Sequence, residues 1–283
     1  MTASTARRMP RTFSLAHLSA LNVPPPEFVE IAARAGYDGV GLRLIPVGAP
    51  DEPLYPLGTD RQLLERTRCA LRNTGLDLFD IEVARIIPMA KPLDYLPSLE
   101  AAAELGARHV LASAWYNDPP FIVEFFAELC DLAAPLGLTV DFEFVTWSAV
   151  RNLDAAANIV AAANRINGGL VIDALHFDRA HTDPKSLGSL SRDWFRFVQL
   201  CDAPMMYVPT VAEMIRIGRE ARLYVGEGGI DCAAILRELP PVTVSLEIPN
   251  TERLKTLGAE EHVRLALESA KRYFAAHALD NAA

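Results

Sequence analysis

Four polar residues in the second half of the chain each stand at the end of a short apolar run, where a β-strand would end. They are Glu143, Asp173, Gln199 and Glu247. Carboxylate and amide oxygens are the ligands that Mg²⁺ and Mn²⁺ prefer, so these donors, once brought together, would bind a divalent ion. We predict that the four residues form a site for one such ion, with Mn²⁺ or Mg²⁺ favoured and Co²⁺ or Zn²⁺ open as alternatives.

The crowding of negative charge is the physical reason to expect a cation. Carboxylates that lie close together repel one another and raise each other's pKa, and a bound divalent ion removes that repulsion. The sequence leaves one alternative open, in which each residue is an isolated polar group with its own hydrogen bonds. The choice depends on whether the fold brings four strand ends to one place.

The elements that would position these residues show a regular alternation of strand and helix signals. Helical stretches with Pro near their start or Gly at their end separate the apolar runs, as in NVPPPEFVEIAARAG. This alternation indicates parallel strands joined by crossover helices. The predicted strands are TFSLAH, DGVGLR, LDLFDIE, ARHVLAS, LTVDFEF, GLVID, FRFVQLCD and PVTVSLEI.

Eight such units are typical of a single α/β domain, the (β/α)8 TIM barrel. We therefore predict a flexible N-terminal arm at residues 1–11, the barrel at residues 12–278 and a C-terminal tail at residues 279–283. A doubly wound open sheet is the rival fold. Such a sheet usually carries a Gly-rich phosphate-binding turn after its first strand, and the segment AHLSALNV is not one.

Side-chain parity predicts that the four polar residues face the inside of the barrel. Alternate residues of a barrel strand face the lumen, and the functional face lies at the C-terminal ends of the strands. In LTVDFEF, Phe142 suits the helix layer and Glu143 suits the lumen. The other three predicted ligands likewise alternate with apolar neighbours.

Composition and charge argue against several kinds of partner. The 283 residues are 51% hydrophobic and 22% charged, which is ordinary for a soluble globular domain. No apolar run reaches the about 18 residues of a membrane helix, so we expect no membrane partner. A formal net charge of -9 argues against nucleic acid. The N-terminus lacks an apolar stretch and the cysteines form no CxxC pair, so we predict a cytoplasmic protein with reduced thiols.

With these four strand-end residues, the chain resembles the xylose isomerase-like TIM-barrel superfamily, the sugar phosphate isomerase/epimerase group, over essentially its whole length. Sites of that group use a Glu after strand five, an Asp after strand six, a His or Gln after strand seven and a Glu after strand eight. Glu143, Asp173, Gln199 and Glu247 match these positions. The Gln is similar to the hydroxypyruvate isomerase branch, whereas the tagatose epimerase and inosose isomerase branches mostly have His there.

The resemblance also implies roles for single residues. It makes Glu143 and Glu247 the catalytic pair that takes and returns a proton. His176, three residues after the strand-six Asp, and Arg222, shortly before GEGGID, match positions that contact substrate oxygens.

Further residues at predicted strand ends would line the same mouth. His17, Arg43 and Glu82 end strands one, two and three, Trp115 follows strand four and Trp147 follows strand five. We predict substrate contacts for them, since aromatic rings stack on the apolar faces of sugars. The alternative for both tryptophans is that they pack loops.

Together these residues predict a metal-dependent isomerase or epimerase of a keto-sugar or related α-hydroxy carbonyl compound, working by proton transfer through a metal-bound enediolate. The same groups would serve a lyase, such as a dehydratase of a keto-inositol or dehydroshikimate. A non-catalytic carbohydrate-binding barrel is a third alternative, and a zinc endonuclease site would need more well-placed histidines than this chain offers. We expect a small keto-sugar or polyol as partner, and the resemblance implies a homodimer or homotetramer.

Overall fold

The computed structural model of the chain describes residues 11–49, 52–205 and 210–279. In these residues eight parallel strands close into one barrel in the order β1 to β8. The predicted TIM barrel is therefore confirmed. The strands are β1 (Phe13–Leu15), β2 (Gly39–Arg43), β3 (Asp77–Ile86), β4 (His109–Ala114), β5 (Thr139–Glu143), β6 (Gly168–Asp173), β7 (Phe195–Leu200) and β8 (Thr243–Leu246).

Helices surround the barrel and connect its strands. They begin and end largely where the sequence indicates; for example, the first begins at Pro25 and ends before Gly36, whose φ is 90°. Within the described ranges the α-helices are α1 (Pro25–Ala35), α2 (Arg61–Thr74), α3 (Leu96–Glu104), α4 (Pro119–Ala133), α5 (Leu153–Ala163), α6 (Ala174–Arg179), α7 (Val211–Glu220), α8 (Cys232–Glu238) and α9 (Thr251–Ala276). None of the helices in these ranges has the length and apolar content that a membrane crossing requires.

Two helices differ from the sequence prediction. Helix α6 was not predicted, because it is a short element that follows β6 directly and takes Asp173 as its N-cap. The stretch GAEEHVRLALESAKRYFAAHAL predicts a last helix that starts at Gly258, but α9 begins at Thr251, after the N-cap Asn250. Gly258 lies inside α9 with non-helical dihedral angles and φ at 77°, so the helix has a kink at the predicted start.

Apolar residues pack on both faces of the barrel strands, one set outside against the helices and a smaller set inside the barrel. Outside the barrel, Phe142 of β5 packs edge-on against Phe126 of α4, with ring centroids 5.5 Å apart. Inside the barrel, a smaller cluster contains Val171 of β6 and Phe197 of β7. Each of these two residues lies two positions before a predicted ligand on its strand, so the strand alternation directs those ligands to the same side.

Strand β3 is longer than predicted. The sequence prediction ends it at Glu82, but the strand continues to Ile86 after its pairing with β4 shifts register between Ile81 and Ala84. The placement of Glu82 at a strand end was therefore wrong. The apolar residues that follow it keep the chain in the barrel wall, so Glu82 is buried inside and Arg85 lies nearer the mouth.

The predicted N-terminal arm at residues 1–11 and tail at residues 279–283 lie outside the described residues, except for Arg11 and Leu279.

Candidate active site at the barrel mouth

The four strand-end residues converge at one side of the mouth. Glu143 ends β5, Asp173 ends β6, Gln199 lies in β7, and Glu247 directly follows β8. These strands are neighbours in the barrel, and Asp173 pairs in register with Gln199. All four residues are buried. Barrel closure therefore brings together oxygen donors that lie up to about a hundred positions apart in the sequence.

Three side chains lie close enough to share one ion. Ligand atoms of Glu143, Asp173 and His176 all lie within 4.8 Å of one another. The main-chain N–H of His176 donates to Asp173 Oδ1 over 3.1 Å, so the start of α6 fixes both residues. The His176 Nε2 atom lies 4.0 Å from Glu143 Oε1. The sequence predicts a substrate contact for His176, and its position also suits a metal ligand.

Gln199 completes the polar wall. Its Nε2 atom donates to Glu247 Oε1 over 3.2 Å. Its Oε1 atom is buried and accepts no hydrogen bond from any described residue. A buried acceptor without a partner is costly, and a cation at this position would satisfy it. The donor set and this oxygen therefore fit a divalent ion.

Arg222 links two of the predicted ligands. Its Nη1 atom lies 2.5 Å from Asp173 Oδ2, and its Nη2 atom lies 2.8 Å from Glu247 Oε2. Its Nε atom donates to the carbonyl oxygen of Gly218 over 2.9 Å, which fastens the guanidinium to α7. This buried guanidinium neutralises part of the negative charge of the wall.

Burial changes the protonation of the acidic groups. Burial, followed by the charges of Glu247 and Asp173, raises the pKa of Glu143 well above its ordinary value. Burial also raises the pKa of Glu247 to about 8, against the opposing effect of Arg222. At Asp173 burial acts in the same direction, but Arg222 and then His176 outweigh it, and the pKa is lowered. Burial lowers the pKa of His176 to about 4, so its ring is neutral at pH 7.

His17 is held by the main chain. Its Nε2 atom donates to the Val23 carbonyl oxygen over 2.8 Å, and its Nδ1 atom accepts from the Arg43 N–H over 3.1 Å. Burial lowers the pKa of His17 to about 3, so the ring stays neutral and keeps both roles. Its ring packs against Phe28 and Tyr55. This geometry disagrees with the predicted substrate contact, because both ring nitrogens are already used.

Glu82 is engaged by Arg43. Its Oε2 atom accepts from Arg43 Nε over 3.2 Å and from Arg43 Nη2 over 3.0 Å. Glu82 is fully buried and does not line the cavity, whereas Arg43 does. A direct substrate contact of Glu82 therefore does not agree with the structure, and its contacts orient Arg43 instead.

A cavity of about 320 Å³ opens over these residues. This volume suits a small ligand. Trp115, predicted to contact the substrate, lies in its wall, where its Nε1 atom donates to Ser113 Oγ over 2.9 Å. Charged and aromatic residues in the lining are Arg43, Glu52, Arg85, Trp115, Glu143, Trp147, His176, Arg219, Arg222 and Glu247.

Sequence reasoning missed three charged residues of this wall, Glu52, Arg85 and Arg219. The continued apolar run after Glu82 was a usable signal for Arg85, since it extends β3 toward the mouth. No sequence pattern indicated that Arg219 would line the cavity, because it lies on a helix that a long connection brings to the site.

Residues 29–275 match the family described as the xylose isomerase-like TIM barrel. The chain belongs to this family. The predicted resemblance is thereby confirmed for most of the chain.

Two curated relatives carry different activities. One is 3-dehydroshikimate dehydratase of Pseudomonas aeruginosa, 28% identical over 222 residues, which are 75% of this chain and 33% of that protein. The other is inosose isomerase of Bacillus licheniformis, 30% identical over 190 residues, which are 60% of this chain and 64% of that protein. The match thus spans about a third of the dehydratase and less than two thirds of the isomerase.

A solved structure of the IolI protein with a bound zinc atom has the same fold. It aligns with a TM-score of 0.77 at 20% identity and covers 94% of this chain and 99% of that chain. At this identity the likeness shows the shared barrel.

Proposed function

We propose that this barrel is a divalent-metal-dependent isomerase or epimerase of a keto-sugar or related α-hydroxy carbonyl compound. The observation that carries the proposal is the pair Glu143 and Glu247. Both are buried carboxyl groups of one cavity, and the pKa of each is raised. Carboxyl groups with such shifts are suited to give and take protons near neutral pH. Names of relatives from both curated groups are those of enzymes, which agrees with a catalytic barrel.

Glu143, Asp173, Gln199 and Glu247 would hold the ion, and His176 lies close enough to join them. A divalent ion in this place supplies a Lewis acid that polarises a carbonyl and stabilises negative charge beside it. Mn²⁺ or Mg²⁺ suits the oxygen donors, whereas participation of His176 would favour Zn²⁺ or Co²⁺. The identity of the ion is part of the proposal.

The chain's own residues would move the proton. Glu143 reaches the cavity from β5 and Glu247 from the end of β8, so two strands separate them around the barrel. An ionised carboxylate on one side removes the C–H proton next to the carbonyl, and a carboxyl group returns it. Return to the neighbouring carbon gives isomerisation, and return to the opposite face gives epimerisation. The neutral His176 ring and Arg222 would orient the substrate oxygens.

A dehydratase of a keto-polyol is the second candidate. The relationship to 3-dehydroshikimate dehydratase over 75% of this chain favours it. One carboxylate would again remove the proton next to the carbonyl, and the other carboxyl group would protonate the β-hydroxyl as it leaves as water. Cytoplasmic location and assembly into dimers or tetramers stay predictions from the sequence, as does the absence of nucleic-acid and membrane partners.

Solvent deuterium exchange tests the proposal. We would incubate the protein with Mn²⁺ and a panel of keto-sugars and keto-polyols in deuterated water, and follow each compound by mass spectrometry. An isomerase or epimerase incorporates deuterium without loss of water, whereas a dehydratase forms a product lighter by one water. Glu143→Gln and Glu247→Gln should each lower the rate at least about 100-fold. Glu260→Gln, which removes an exposed partner of Arg34, is the matched control. Full turnover in both active-site variants would refute the assignment.

A further inference from the structure

Two arginines in the cavity wall have no acidic partner among the described residues. Arg85 and Arg219 both line the cavity over the candidate metal site. Across the described residues 11–49, 52–205 and 210–279, no carboxylate forms an ion pair with either guanidinium. Cationic side chains placed in a cavity without a counter-charge are typical of sites that bind an anionic ligand.

Arg85 is held in place by neutral contacts. Its guanidinium stacks on the Trp115 ring, 4.5 Å from the centroid, and its Nη1 atom donates to the Val47 carbonyl oxygen over 2.7 Å. Its Nε atom is buried and has no hydrogen-bond partner among the described residues. A stacked guanidinium keeps its edge free for a planar anion.

Arg219 is positioned by the end of α7. Its neighbour Gly218 lies against Trp147, where a Cβ atom would approach the ring to 2.3 Å. The Gly218 carbonyl oxygen accepts from Arg222 Nε over 2.9 Å. These two contacts fix the last turn of α7 against the site, and Arg219, an exposed residue, follows them at the rim of the cavity.

The other arginines of the cavity already have acidic partners. Arg43 pairs with Glu52 at 3.1 Å and with Glu82 at 3.0 Å. Arg222 pairs with Asp173 and Glu247, as described above. The Glu52 carboxylate also accepts from the main-chain N–H groups of residues 47–49, so it is fully engaged. The unmatched positive charge of the wall therefore belongs to Arg85 and Arg219.

The two unmatched charges also repel each other. Burial, followed by the charge of Arg219, lowers the pKa of Arg85. An anion between the two guanidinium groups would remove this repulsion, because each would then face an opposite charge.

We propose that the substrate of this site carries a carboxylate, which Arg85 and Arg219 bind while the reacting carbonyl and hydroxyl lie over Glu143 and Glu247. The inference rests on the proposed function and narrows its substrate class to α-hydroxy keto acids. A carboxylate is favoured over a phosphate because Arg219 lies in the last turn of α7, where the helix dipole is unfavourable for a dianion.

This substrate class separates the two activities of the relatives. 3-Dehydroshikimate has a carboxylate on its ring, whereas inosose is neutral. Dehydration of 3-dehydroshikimate would begin with loss of the proton next to the carbonyl and departure of the β-hydroxyl as water. The ring then enolises to 3,4-dihydroxybenzoate, so the products are one aromatic acid and one water. Unpaired arginines in the cavity thus favour the dehydratase branch.

Ligand binding tests the carboxylate site without any turnover. We would titrate the full chain, supplied with Mn²⁺, with 3,4-dihydroxybenzoate and with 3,4-dihydroxybenzamide, which keeps the ring and both hydroxyls but lacks the charge. The acid should bind at least about 10-fold more tightly than the amide. Equal affinities would overturn the proposal, and so would inorganic phosphate that competes as strongly as the acid.

Variants locate the site. Arg85→Gln and Arg219→Gln should each reduce the preference for the acid about 10-fold and leave amide binding unchanged. Arg216→Gln is the matched control, because Arg216 lies on the same helix and pairs with Glu213. If the variants fail to fold, the acid-to-amide ratio of the unaltered protein still decides. Retention of the full preference in both arginine variants would overturn the assignment of these residues.

Turnover distinguishes failure of this inference from failure of the proposed function. Dehydration of 3-dehydroshikimate with little conversion of inosose supports the carboxylate inference and selects the dehydratase candidate over the isomerase or epimerase. Conversion of inosose with equal or greater efficiency overturns the carboxylate inference and leaves the proposed function standing. Conversion of neither, together with a clear preference for the acid in binding, supports the anion site and counts against the proposed reaction.

Discussion

The side-chain nitrogen of Gln199 donates a hydrogen bond to the Oε1 atom of Glu247 over 3.2 Å. The contact joins β7 to the residue after β8 and leaves the amide oxygen of Gln199 buried, without a partner among the described residues. One side chain thus offers an acceptor for a cation and a donor that orients a carboxylate. Both roles depend on the amide, since an acid at this position would add a fifth carboxyl group to Glu82, Glu143, Asp173 and Glu247.

Replacement of Gln199 should weaken metal binding. We expect Gln199→Leu to reduce Mn²⁺ affinity about 10- to 100-fold, because it removes an acceptor and leaves Glu247 Oε1 without its donor. Gln199→His offers a ring nitrogen as ligand in place of the amide oxygen and should lose much less affinity. Calorimetric titration of chelator-treated protein with Mn²⁺ measures both. Unchanged affinity in Gln199→Leu would show that the amide does not take part in a metal site.

Removal of Arg222 should destabilise the fold. Arg222→Met leaves the carboxylates of Asp173 and Glu247 buried without their cation, and breaking such a pair costs about 3–5 kcal/mol of the free energy of unfolding. Arg222→Lys should also lose stability, since an ammonium group cannot reproduce the two-pronged contact. Urea unfolding measures both variants against Arg34→Met, which loses an exposed ion pair with Glu260. A loss in Arg222→Met no larger than in this control would contradict the structural role.

The metal should stabilise the protein more strongly at higher pH. Folding raises the pKa of the Glu247 carboxyl from its ordinary value of 4.5, which applies in the unfolded chain, to about 8, chiefly by burial. Without metal, the stability that this proton contributes is fully present below pH 4.5 and is lost as the pH rises to 8. A divalent ion binds the ionised form, so its stabilising effect grows across the same interval.

Thermal unfolding at several pH values checks this dependence. The difference in Tm between protein with Mn²⁺ and protein with chelator should increase from about pH 5.5 to about pH 8. Glu247→Gln cannot titrate and should show a smaller increase. A difference in Tm that does not change with pH would indicate that these carboxyl groups are not coupled to metal binding.

His17 should contribute to stability more than to substrate binding. His17→Ala removes the links to the Val23 carbonyl and the Arg43 N–H, and we expect a loss of roughly 1–3 kcal/mol in the free energy of unfolding. The KM of the folded fraction should change little, because the ring has no free nitrogen for a ligand. Denaturant unfolding and steady-state kinetics measure the two effects. A large rise in KM at unchanged stability would restore the predicted substrate contact.

The exposed His277 is the control for that variant. It lies at the end of α9 and interacts with Tyr273 on the surface. His277→Ala should change the free energy of unfolding by no more than about 0.5 kcal/mol.

The sequence determined the fold and the inward direction of the four strand-end residues. Both follow from local periodicity: eight apolar runs alternate with helical stretches, and a period of two along a strand decides which side chains face the lumen. Glu143 and Asp173 therefore lie where the alternation of LTVDFEF and GLVID predicts. Such patterns need no knowledge of distant residues.

Tertiary structure alone decided which of these residues contact one another and which are already hydrogen-bonded to other protein groups. Arg222 lies 49 positions after Asp173, yet barrel closure places its guanidinium against that carboxylate. The turn of the chain after β1 fixes His17 to the main chain, and the shifted register of β3 buries Glu82. Arg219 reaches the cavity because Trp147 and Arg222 hold the end of α7. Contacts of this kind depend on how whole helices and strands pack together. The hydrophobic periodicity of the sequence does not specify that packing.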